Sequence, residues 1–235
     1  MRIALASLLF ALLSGCVTPV VVATPPDRPV SRAAPARTAP SVAARNFVTV
    51  VERVMPHARA ACREQARSAR CDYAVVVDDR PGVPANAFQT LAPDGRPIVG
   101  FTLPLILEAR NPDELAFILS HEAAHHIAGH IGRGQNSART TATLAGALVA
   151  LGGGDDVAIR QAQDFGAFYG ARRYAKEFEL EADALGAILA RRAGYDPLVG
   201  IMFFQNAPDP GNRFLGTHPP NADRIATVRR VLAGR

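Results

Sequence analysis

At 235 residues, with 49% hydrophobic and 20% charged residues, the chain can form one good-sized domain or two small ones and is too apolar to be disordered. Its formal charge of +5 comes almost wholly from arginine, since Lys176 is the only lysine, and the arginines are scattered apart from doublets at Arg172-Arg173, Arg191-Arg192 and Arg229-Arg230. Aromatics make up 6% and there is no Trp, so the composition excludes a nucleic-acid binder, which needs a concentrated basic stripe and stacking rings.

Residues 1–15 place Arg2 ahead of an apolar run over 3–13, the layout of a secretory signal and too short for a transmembrane helix. The run ends in Leu13-Ser14-Gly15-Cys16, which resembles the bacterial lipoprotein processing box. That resemblance implies cleavage before Cys16 and lipidation of the cysteine; Val17 in place of an Asp then implies the outer membrane. A plain signal peptide that happens to contain a Cys is the alternative. Residues 16–45 carry Pro19, Pro25, Pro26, Pro29, Pro35 and Pro40 among small residues, and such a segment is read as an extended tether.

Apolar residues at helical spacing begin with Phe47, Val50, Val51 and Val54, so the folded domain is expected over 46–235, with Pro56 kinking or splitting its first helix. Cys62 and Cys71 are the pair left once Cys16 is lipidated, and an oxidising compartment suggests that they form a disulfide. Two free thiols or a second metal site are the alternatives, with no nearby partner to support them. Residues 73–77 read as a buried strand, and 86–91 and 98–102 as two more joined by a turn at Pro93-Asp94-Gly95. A short helix over 105–109 follows.

The next helix is well specified. Asn111 suits the N-cap, Pro112 the first helical position, and Asp113 and Glu114 the positive end of the dipole. Leu115, Ile118, Leu119 and Ile127 give it an apolar face out to about His130. On it stands His121-Glu122-Ala123-Ala124-His125, the H-E-x-x-H spacing of zinc peptidases. Histidines four apart share a helix face and can reach one metal ion, while Glu122, about 100° around the axis, stands beside the metal, where it could deprotonate a zinc-bound water. Five residues recur by chance; the alternative is an amphipathic helix with two solvated histidines.

Beyond Gly132 and Gly134, the small apolar stretch 141–151 is too short to span a bilayer and reads as a helix over the active site or against a membrane surface. Gly152-Gly153-Gly154 ends it, and Asp155 or Asp156 caps a helix over 158–171 with a possible break at Gly166 or Gly170. Glu177-Phe178-Glu179-Leu180-Glu181-Ala182-Asp183 then offers a third ligand. Glu179 and Asp183 lie four apart: Glu179 can bind the metal, and Asp183 can hydrogen-bond the free ring nitrogen of a ligand His. Glu177 and Glu181 share that spacing, but Glu177 is better matched to a surface pair with Arg173. A solvated acidic helix is the alternative for the whole run.

These segments together resemble the gluzincin metallopeptidases related to the CAAX prenyl endopeptidases, bacterial HtpX and the mitochondrial Oma-type proteases. The resemblance rests on Asn86-Ala87-Phe88, Asp113-Glu114-Leu115 leading into the H-E-x-x-H helix, Glu179-x-x-Ala182-Asp183, and Thr217-His218-Pro219-Pro220 with Arg224. It implies an α+β fold: a mostly helical, zincin-like peptidase domain with a small antiparallel or mixed sheet beside the H-E-x-x-H helix. It implies one zinc per chain held by His121, His125 and Glu179, with Glu122 as general base and acid. It also places His218 beside the metal, as an oxyanion donor or a resting-state latch, where the sequence alone leaves it exposed in a Pro-stiffened loop. Segment 86–91 or 98–102 would be the sheet edge that takes an extended peptide. Unlike the CAAX endopeptidases and HtpX, no membrane-spanning segment follows the signal, so the chain resembles the minimal, lipid-tethered type.

The function expected is therefore zinc-dependent hydrolysis of unfolded or misassembled polypeptides in the bacterial cell envelope, at the periplasmic face of the outer membrane, with contact to the membrane through the lipid at Cys16. Two other readings stand beside it: a non-catalytic lipoprotein that binds or chaperones envelope proteins, which would have no need of Glu122, and a zinc hydrolase of peptidoglycan peptides.

Overall fold

A computed structural model describes residues 39–66 and 69–234. The signal segment 1–15, Cys16 and the tether up to residue 38 lie outside the described residues. Helix α1, Pro40–Gln65, begins inside the stretch read as tether, because proline's fixed φ suits the first helical turn and Ala43 and Phe47 have a core to enter. The helix runs unbroken through Pro56. One missing N–H is outweighed by a buried face of Val50, Val54, Met55, Ala58, Ala61 and Cys62.

Three strands follow: β1 (Ala74–Asp78), β2 (Ala87–Leu91) and β3 (Pro97–Thr102). They form a mixed sheet in the order β1-β3-β2, with β1 parallel and β2 antiparallel to β3. Strand β3 is thus paired on both sides and cannot serve as an open edge; β2 can. The expectation of a buried first strand is corrected too, for Val76 and Val77 are 41% and 46% exposed, as an edge strand allows. Cys62 and Cys71 are joined, with Cα atoms 5.7 Å apart, at the loop between α1 and β1.

After α2 (Leu103–Glu108), helix α3 (Pro112–Ile127) is the hub of the fold, in contact with α1, α4, α6, α7, β2 and β3. Asn111 caps it by accepting from the Glu114 amide at 2.9 Å. It is buried nearly all round, as a central helix should be. From behind, the Tyr73 hydroxyl donates to the Ala123 carbonyl at 3.2 Å, and His126 Nε2 donates to the Arg70 carbonyl at 2.7 Å. Helix α3 stops short of His130: Gly129 takes φ +67°, the left-handed conformation that suits glycine, and His130 starts a new helix, α4 (His130–Leu151).

Helices α4 and α5 (Asp156–Arg172) pack chiefly against each other as an antiparallel hairpin. The stretch 141–151 therefore faces α5, with Leu144, Leu148 and Leu151 left exposed, and it is the first turns of α4 that border the site. Gly166 and Gly170 do not break α5. A Cβ there would stand 2.5 Å from the Thr141 carbonyl oxygen and 2.4 Å from that of Ser137, so they are points of close helix contact. Helix α6 (Ala175–Arg192) lies along α3, followed by α7 (Pro197–Gly200), α8 (Met202–Asn206) and α9 (Asn221–Ala233). The domain is mostly helical α+β, and among the described residues no helix is long and apolar enough to cross a membrane.

Candidate metal centre and active site

Helices α3 and α6 run close together at Gly186, where a Cβ would lie 3.0 Å from the backbone N and Cα of His121, a tighter contact than side chains ordinarily make. This contact sets one turn of α6, Glu179 to Asp183, against one turn of α3, His121 to His125. The two Nε2 atoms are 3.0 Å apart. Glu179 reaches them with one oxygen each, Oε2 at 3.5 Å from His121 Nε2 and Oε1 at 3.2 Å from His125 Nε2. Four tetrahedral donors at about 2.0–2.1 Å from a zinc ion would be spaced by roughly 3.3 Å, so this two-nitrogen, one-carboxylate set fits the ion in donor type and spacing. The electrostatics agree. Burial alone would lower the His121 pKa, but hydrogen bonds to Asp183 and Glu179 raise it; burial would raise Glu179, but His121 and His125 hold it well below the usual carboxylate range. The space among these donors favours positive charge.

Each imidazole is held from behind through its other nitrogen. His121 Nδ1 lies 2.9 Å from Asp183 Oδ1, so Asp183, on the same face of α6 as Glu179, is where the spacing put it. Asp183 is itself gripped by Arg224 of α9, with Nε 2.8 Å from Oδ2 and Nη2 2.7 Å from Oδ1, a buried bidentate pair. Burial would raise the Asp183 carboxyl, yet the bonds from Arg224 and His121 lower it. Arg224 also lies 3.6 Å over the Phe204 ring.

Among the described residues, no carboxylate stands behind His125. Its Nδ1 meets His130 Nδ1 at 2.8 Å, and His130 Nε2 lies 3.2 Å from Glu181 Oε2. The sequence assigns neither His130 nor Glu181 a role at the site, because their partnership crosses from α4 to α6 and no spacing within one helix announces it. Burial takes the His130 pKa down to about 4 despite Glu181, leaving the ring neutral near pH 7.

Glu122 faces the same cleft, of about 280 Å³, whose walls include Asn86, Ala87, Leu105, Ile118, Phe204 and His218. Burial pushes the Glu122 carboxyl pKa up. His218 is half exposed, with Nε2 3.9 Å from Glu179 Oε2 and Nδ1 2.9 Å from Thr217 Oγ1, so the loop brings it close to Glu179. Glu177 is exposed on the far side of α6, and Arg173 lies over the Tyr174 ring at 4.3 Å.

The profile of peptidase family M48 matches residues 45–232. Over 138 residues, 53% of this chain and 28% of the relative, the sequence is 31% identical to a Vibrio cholerae protein named as a candidate beta-barrel assembly-enhancing protease. Over 180 residues, 69% of this chain and 35% of the relative, it is 30% identical to the mitochondrial metalloendopeptidase OMA1 of Arabidopsis thaliana. The matched region spans about a third of the length of these curated relatives.

Proposed function

The chain belongs to peptidase family M48, the metallopeptidases of the HtpX and Oma type, and from that premise we propose that it is a zinc endopeptidase acting on unfolded or misassembled proteins of the bacterial cell envelope. The observation that carries this reading is the convergence of His121 Nε2, His125 Nε2 and Glu179 beside Glu122 in one cleft. His121, His125 and Glu179 hold the ion. When bound, zinc supplies a Lewis acid that polarises a carbonyl and makes water acidic enough to be deprotonated near neutral pH. Glu122 takes the proton from the attacking water and passes it to the departing amine. An extended substrate adds to the open edge of β2, whose Ala87 borders the cleft, by backbone hydrogen bonding. His218 donates a hydrogen bond to the oxygen that gains charge as the carbonyl is attacked.

Residues 1–15 act as the signal and the segment from Cys16 up to the start of α1 at Pro40 as a tether, with lipid on Cys16 holding the folded domain at the periplasmic face of the outer membrane. Support comes from the lipoprotein-like box at Cys16.

Three substitutions test the residue roles. Glu179→Ala should abolish stoichiometric zinc binding measured by metal analysis, while Glu177→Ala, on the exposed side of α6, should retain it; the reverse pattern would move the ligand by half a turn. His218→Ala should keep its zinc and lose roughly 10²–10³-fold in turnover on a peptide, the cost of one oxyanion donor. A rise in basal activity would make His218 a latch, and unchanged kinetics would remove it from the site.

A further inference from the structure

The two histidines are supported unequally. His121 is backed directly by a carboxylate and an arginine, Asp183 and Arg224, whereas His125 is backed by a second imidazole, which in turn meets Glu181. Glu181 is itself paired with Arg133 of α4 at 2.7 Å, so both chains of contacts end in a carboxylate and an arginine. The His130 ring is buried and stacked on Phe178, centroids 4.5 Å apart and planes 11° from parallel, and the Arg133 guanidinium lies 4.5 Å from the centre of that same Phe178 ring.

We propose that His130 is a positioning residue for the metal site, fixing the tautomer and ring plane of His125 through the Nδ1–Nδ1 hydrogen bond. This rests on the reading of His125 as a metal ligand. The proton assignment then has one solution. A His125 that ligates through Nε2 carries its proton on Nδ1. That N–H donates to His130 Nδ1, which must be unprotonated; His130 therefore carries its proton on Nε2 and donates it to Glu181. Glu181 selects the His130 tautomer, and His130 selects that of His125. The Gly129 turn makes this possible, because by ending α3 and starting α4 at once it brings the His130 ring back over the helix it has just left.

The test uses the full chain and zinc itself. Zinc dissociation constants are measured by competition with a chelating dye for the native protein, His130→Phe and His130→Asn. Phenylalanine keeps the stack on Phe178 but offers no acceptor, so affinity should fall by 10–100-fold. Asparagine places its amide oxygen where Nδ1 stood and should recover most of that loss. As a readout independent of metal affinity, two-bond ¹H–¹⁵N correlations of the zinc-loaded native protein should show His130 protonated on Nε2. Native-like affinity in His130→Phe, an Asn variant as weak as the Phe variant, or His130 protonated on Nδ1 would each overturn the proposal. A native protein that binds no zinc, or whose binding survives Glu179→Ala, would instead bring down the metal-site reading and this proposal with it.

Discussion

Glu122→Gln is expected to retain one zinc per chain and to lose roughly 10²–10⁴-fold of its peptide hydrolysis, the usual share of a positioned general base. The substitution keeps the size and hydrogen bonding of the side chain and removes only its basicity. Glu122 lies one residue from His121, so its own carboxylate is not among the three donors that converge. Metal analysis and steady-state kinetics on the same preparation check both halves. Loss of the metal along with the activity would make Glu122 a ligand or a fold residue; activity within a few-fold of native would give the base role to another group.

Arg224→Ala should produce the largest loss of stability. Asp183 is fully buried, and its two oxygens are held by Arg224 and His121. Removing the guanidinium strands a buried carboxylate, a change that costs about 3–5 kcal/mol. For a domain of this size the melting temperature should fall by on the order of 10 °C. The metal-free protein should show the same fall, because the pair needs no zinc to form. Arg224→Lys should recover only part of it, since a lysine cannot form the two parallel bonds. A shift of a degree or two for the Ala variant would mean that α9 is not keyed to the site through Asp183.

What the sequence made readable was what one element carries within itself. Asn111 and Pro112 announce the start of α3, the 121/125 and 179/183 spacings put two chemical groups on one face of each helix, and the three strands fall within about a residue of their expected limits. What it hid depends on contacts between elements. Gly166 and Gly170 look like helix breakers in isolation and are places where α4 and α5 nearly touch. Segment 98–102 reads as a possible edge until β1 and β2 are seen on either side of it. Pro40 and the residues after it look like tether because their only argument for helix is a core that the segment joins later. The supports of the two histidines were half visible for the same reason. Asp183 shares a helix with Glu179 and was legible, whereas Arg224, His130 and Glu181 meet their partners from other helices.

The central claim, that zinc held by this chain drives hydrolysis of unfolded polypeptide, is tested most directly by titrating zinc into the chelator-stripped full chain and following cleavage of casein. The account predicts no cleavage at the start, a linear rise with added zinc and a break at one zinc per chain. Cleavage that persists in the stripped protein, or a zinc-replete protein that leaves casein intact, would contradict it.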